Sequence, residues 1–321
     1  MARLKLSPAE RDSYQSSIYY ATEALKLYPG HPHAYYSRGS AHYVLGEYQK
    51  ALHDFNEALR FDPSLTNAYL ARGGAKLALG DYSGALCDFD EMVRRDPENA
   101  DAYNCRGTAN YLLGNYNVAL NDLSEAIRLE PGTSLTELAY TARSRTEYAL
   151  GNYAAAIKDL SQVILCDPNN ADAYYSRGTA YYLTGEYNAA IEDLSVLLQL
   201  DPAYPKAYLA YLFRGTANVA RGYFRSSIED FTAVIHLQPD YAPGYGGRGM
   251  ARVELGEYRA AIQDLSRVIQ LNPNDGDAYL FRGKAKDAVG DSDGAIDDVR
   301  HAARLGNEHA IAFLGERCIR W

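Results

Sequence analysis

Apolar side chains recur every three or four residues along this chain, pause at a glycine, resume, and stop at a proline. From Tyr35 to Phe55 the sequence reads YYSRGSAHYVLGEYQKALHDF, and from Tyr174 to Leu194 it reads YYSRGTAYYLTGEYNAAIEDL. With the closing proline at place 32 of a 34-residue unit, units begin at Pro32, Thr66, Ala100, Glu137, Ala171, Tyr208, Ala242 and Gly276. Five of the seven intervals are 34 residues and two are 37. Places 4, 8 and 11 share one helical face, as do places 17, 20, 24 and 27, so each unit predicts two helices. Glycine at place 15, from Gly46 to Gly290, suits a left-handed helix end, and Asp-Pro, as in Asp62-Pro63, stops the second helix. Glycine at place 8 and alanine at place 20 predict close approach of the two helices.

One such hairpin cannot bury its own apolar face, so neighbours must stack. The expected fold is all-α, a right-handed α-solenoid of helix-turn-helix units. Residues 1–31 form an N-terminal helix of a partial repeat, 32–307 eight units, and 308–321 a C-terminal capping helix. Ser7, Pro8 and Glu10 form a capping-box signature, and Tyr14, Ala24 and Pro29 hold places 17, 27 and 32 of a preceding unit. Ile311, Leu314 and Cys318 are expected to cover the last pair. At the two three-residue insertions, Ser134 stands three before Glu137 in a second capping-box pattern, and Pro205 falls at a first helical position. Both insertions predict a first helix longer by a turn, with a longer loop as the alternative.

Two charged positions never vary. Place 7 is Arg38, Arg72, Arg106, Arg143, Arg177, Arg214, Arg248 and Arg282; place 23 is Asp54, Asp88, Asp122, Asp159, Asp193, Asp230, Asp264 and Asp298. A charge inside a stack persists only when paired and hydrogen-bonded. The expectation is a structural Arg–Asp ladder, each guanidinium holding a carboxylate of its own or the adjacent unit. A row of arginines gripping an acidic ligand is the alternative.

The place 4 aromatic, Leu-Gly, Tyr, Ala and Pro signature resembles the tetratricopeptide repeat, over about nine-tenths of the chain. Arginine at place 7 departs from that family's usual leucine. The resemblance implies a protein–protein interaction scaffold or adaptor that binds a peptide or protein segment in a concave groove lined by places 2, 5, 9 and 12. The candidate groove residues are Tyr36, Tyr43, Asn104, Thr108, Tyr111, Arg145, Tyr148, Tyr175, Thr179 and Tyr182. Tyrosine with small polar neighbours suits an adaptable binding surface, whereas packing between units is the plainer role. The family's grip on chaperone C-termini needs Lys and Asn at set places in three consecutive units, and no such set is present. A non-catalytic arm of a larger enzyme and an assembly or secretion-pathway factor are the alternatives.

Composition narrows the classes. The net charge is -9 with a pI near 5.3, unsuited to nucleic-acid phosphates or an anionic membrane surface, and it favours a basic or neutral partner. No stretch reaches the length of a membrane span, so no membrane insertion is expected; self-association stays open. The 29 tyrosines against 8 phenylalanines and 1 tryptophan exceed what places 4 and 17 account for. Cys87, Cys105, Cys166 and Cys318 form no CxxC pair, and scattered cysteines fit a reducing, cytoplasmic setting. The seven histidines form no HExxH, and no phosphate-binding glycine loop or calcium loop occurs. No enzyme activity, metal or cofactor is expected.

Overall fold

The computed structural model describes residues 6–316. Among them are eighteen helices and no strand, in two compact units, Met1–Cys166 and Asp167–Trp321. The first holds α1 (Pro8–Leu27) and four pairs: α2 (Pro32–Val44) with α3 (Tyr48–Phe61), α4 (Thr66–Ala78) with α5 (Tyr82–Arg95), α6 (Ala100–Leu112) with α7 (Tyr116–Leu129), and α8 (Ser134–Ala149) with α9 (Tyr153–Cys166). The second holds α10 (Ala171–Leu183) with α11 (Tyr187–Leu200), α12 (Ala207–Ala220) with α13 (Phe224–Leu237), α14 (Ala242–Glu254) with α15 (Tyr258–Leu271), α16 (Gly276–Ala288) with α17 (Ser292–Arg304), and then α18 (Glu308–Glu316). Each unit is a helical solenoid of repeated pairs.

Local chemistry sets the ends. Asn99 accepts from the Ala102 N–H at 2.9 Å and Asn170 from Ala173 at 3.0 Å, capping α6 and α10. The place 15 glycines turn each hairpin at φ between 76° and 88°, a backbone that side chains disfavour. At place 8 the reason for glycine is contact. A Cβ on Gly39 would lie 2.8 Å from Phe55, and one on Gly73 would lie 2.5 Å from Phe89. The place 24 side chains that fill these notches, Phe55, Phe89, Leu123, Leu194 and Phe231, are buried. Within each unit every helix packs on the next, and first helices of successive repeats also touch, α2 on α4 and α6 on α8 in one unit, α10 on α12 through α16 in the other. First helices therefore share one wall of each stack.

The insertions resolve differently. α8 gains three residues over the usual 13, but its cap is Thr133 rather than Ser134, with Thr136 returning the bond instead of Glu137. The second three-residue insertion, which falls before α12, does not add a helical turn. Pro205 lies in a turn outside α12, which is only one residue longer than its 13-residue counterparts. At the N-terminus Ser7 and Glu10 form the reciprocal capping box. Leu314 and Ala310 of α18 are buried against α17, with Ile311 packed on the same cluster; Cys318 lies outside the described residues.

Candidate functional site

All eight arginines at place 7 bind the aspartate sixteen residues on, in their own repeat. The bond is bidentate, with Nε to the carboxylate and Nη2 to Oδ1 at 2.5–2.8 Å. Each guanidinium also lies 5.3–5.9 Å from the centre of the place 4 tyrosine ring three residues before it. The hydrogen bonds to the aspartates push the guanidinium groups of Arg38, Arg106, Arg143 and Arg177 upward, further into the charged state. Burial pushes the Asp230 carboxyl upward against the pull of Arg214.

Two further partners went unread in the sequence. Nη1 donates back to a side-chain oxygen at place 25 of the preceding repeat: Arg72 to Asn56 at 3.1 Å, Arg106 to Asp90 at 3.1 Å, Arg214 to Ser195 at 2.9 Å and Arg282 to Ser266 at 3.1 Å. At place 11, Lys76, Arg252 and Lys286 lie 2.6–2.8 Å from the same aspartates, and Asn218 donates to Asp230 at 2.9 Å. Arg38, Arg72, Arg106, Arg143, Arg214, Arg248 and Arg282 thus each join their own second helix to the helix before their repeat, through at least three of the five N–H groups.

The shared wall of the first unit carries a groove of about 570 Å³. Place 5 supplies Tyr36, Leu70, Asn104 and Thr141; place 9 supplies Ser40, Gly74, Thr108 and Arg145; place 12 supplies Tyr43 and Leu77. The two halves differ. Tyr36, Tyr43, Leu70 and Leu77, floored by Phe55, make an apolar half on α2 and α4; Asn104, Thr108, Thr141 and Arg145 make a polar half on α6 and α8. The Asn104 Oδ1 atom is shut off from solvent and has no hydrogen-bond partner among the described residues, a condition that costs about 1–3 kcal/mol. Burial pushes the Tyr43 hydroxyl up, and pushes the Cys105 thiol up to about 12.

Of the expected groove residues, Tyr36, Tyr43, Asn104, Thr108 and Arg145 come together here. Tyr111 and Tyr148 lie outside this lining, their rings against the place 17 tyrosines of their own repeats, Tyr116 at 5.9 Å and Tyr153 at 5.0 Å. In the second unit Tyr175 packs against Tyr204 at 5.4 Å, and Tyr182 against Phe213 at 5.2 Å. Thr179 is buried and donates to the Tyr175 carbonyl at 3.0 Å. The lining also includes Asn67 and Leu138 at place 2 and Cys105 at place 6, which sequence reasoning did not single out. Place 2 was readable as wall; Cys105 carries no such signal. Among the described residues no helix is long and apolar enough to cross a membrane, and no cluster of three or more His, Cys, Asp or Glu could hold a metal ion.

Repeated helix pairs whose first helices share a wall with an open groove define a repeat scaffold. Models of the tetratricopeptide repeat match residues 32–65, 171–204, 70–133 and 247–312, and a TPR repeat model matches 145–185. The chain belongs to the tetratricopeptide repeat family, whose members are generally non-catalytic protein-interaction scaffolds. Among solved structures it is similar to the MamA protein, at 26% identity over 56% of this chain and 96% of that one, with a TM-score of 0.51. It shares its fold with a tetratricopeptide repeat protein from Parabacteroides merdae (22% identity, 78% of this chain and 96% of that one, TM-score 0.51). The same holds for the C-terminal part of a TPR repeat-containing protein from Cytophaga hutchinsonii (17%, 75% and 97%, TM-score 0.61). No curated protein matches the chain.

Proposed function

We propose that this chain is an adaptor that holds a peptide segment of a partner protein in the groove of its first four repeats. One observation carries the reading: an open groove on the shared wall combines clustered aromatic and aliphatic side chains with hydroxyl, amide and guanidinium groups. An extended peptide offers apolar side chains for the first and a backbone N–H and C=O at every residue for the second. The arginine ladder is assigned a structural role, because each guanidinium is already neutralised by the bidentate bond to its own aspartate.

The test is a library of random peptides roughly ten residues long, about 33 Å when extended, displayed on phage through their C-termini. It is panned against the full chain and against Gly74→Leu, whose new side chain projects beside the Tyr43 hydroxyl, 3.5 Å from a Cβ at that position. The reading predicts peptides that bind the natural chain and lose binding to Gly74→Leu, with the helical circular dichroism unchanged. Peptides that bind both chains equally, or a selection that yields none, contradict it.

A further inference from the structure

The groove is charged opposite to the chain that carries it. The protein has a net charge of -9, yet no Asp or Glu lines the groove, and its one ionic side chain is Arg145. Every place 7 arginine is locked to an aspartate; Arg145, at place 9, is exposed and forms no ion pair among the described residues. A basic segment entering here would meet a lone cation and no counter-charge. The basic or neutral partner expected from net charge therefore does not suit this site, because a charge ten or more ångströms away across water is screened while one in the groove is not.

We infer, on the reading of this groove as a peptide site, that its occupant is a segment with an acidic side chain beside a large apolar one. The two halves of the groove set that order. The apolar side chain lies against Tyr36, Tyr43, Leu70 and Leu77, where apolar area is concentrated. The carboxylate meets Arg145, whose planar fork matches two oxygens, and Thr108 and Thr141 add hydroxyl donors on the facing turns of α6 and α8. The carboxylate comes from an Asp or Glu side chain rather than from a chain end. Arg145 sits at an exposed margin, and Leu138, seven residues before it on α8, still lines the groove, so the occupant's chain continues past the arginine.

The peptides selected above supply the probe, because their C-termini are joined to the phage coat and offer no free carboxylate. Those that lose binding to Gly74→Leu are sequenced, synthesised with amidated C-termini, and titrated against the full chain, Arg145→Glu and Arg145→Lys. The inference predicts enrichment of Asp or Glu at one position next to a large apolar residue. It also predicts binding weakened about tenfold or more by Arg145→Glu, partly kept by Arg145→Lys, and reduced by added salt. Groove-dependent peptides with no acidic enrichment, with Lys or Arg enriched, or with equal affinity for Arg145→Glu overturn the acidic assignment and leave the peptide groove standing. Loss of binding on amidation overturns the side-chain source. Peptides indifferent to Gly74→Leu overturn the groove and this inference together.

Discussion

Arg106 holds Asp122 through two parallel hydrogen bonds of 3.0 and 2.6 Å, and its remaining nitrogen reaches Asp90 of the preceding repeat at 3.1 Å. Replacing Arg106 by leucine strands a nearly buried carboxylate and unties two repeats at once. The expected loss is about 2–3 kcal/mol, below the 3–5 typical of a fully buried pair because the arginine is partly wet. Adding Asp122→Asn should recover part of it. A double-mutant cycle in urea measures the coupling, and independence of the two substitutions would contradict the pairing.

Adjacent glycines should respond with opposite signs. A methyl group on Gly73 would meet the Phe89 ring at 2.5 Å, whereas on Gly74 its nearest neighbour is the Tyr43 hydroxyl at 3.5 Å. Gly73→Ala should therefore destabilise by about 1–3 kcal/mol through overpacking. Gly74→Ala has room and should stabilise by roughly 0.5–1 kcal/mol through reduced backbone freedom in the unfolded chain. Thermal unfolding of the two variants side by side decides this; equal shifts would contradict the packing.

Cysteine chemistry separates groove from surface. Cys105 is half-buried at the groove, and its surroundings push the thiol up to about 12, while Cys87 and Cys166 are exposed. The thiolate is the reactive form, so a raised value leaves Cys105 protonated near neutral pH and unreactive until strongly alkaline conditions. Iodoacetamide labelling at pH 8, read at each site by mass spectrometry, should modify Cys87 and Cys166 well before Cys105. Equal rates would contradict the raised Cys105 thiol.

The extended α8 depends on an unusual cap. Thr133 and Thr136 exchange bonds at its start, so Thr133→Ala should cost about 1 kcal/mol, while Ser134→Ala should cost little. Chemical denaturation of both variants checks which residue caps the helix.

The repeat made much of this molecule readable in advance. Glycine at place 15 recurs eight times, and glycine at place 8, alanine at 20 and proline at 32 seven times each; each reports a backbone or packing constraint, so helix pairs and their stacking followed from pattern alone. The partners of Arg38 or Arg282 could be named only as a choice between their own repeat and the next, since a period carries no direction; their bonds lie within the repeat. The insertions escaped the pattern because they occur once each. Ser134 and Thr133 are equally good caps in sequence, and Pro205 suits a turn as well as a first helical position. Within the groove, place 5 pointed to Tyr36 and Asn104, place 9 to Arg145 and place 12 to Tyr43. Tyr111 and Tyr148, at place 12 as well, meet the rings of Tyr116 and Tyr153 just as Tyr43 meets Tyr48, yet only Tyr43 lines the groove; spacing does not encode how far the groove extends.

The central claim is that the wall of repeats one to four holds a peptide. Amide and methyl NMR spectra of the full chain, recorded during titration with a selected amidated peptide, test it most directly. The account predicts shifts concentrated on residues around Tyr36, Tyr43, Leu70, Asn104, Thr108 and Arg145, on α2, α4, α6 and α8. Shifts centred on the second helices α3, α5 and α7, or confined to the second unit, would contradict it.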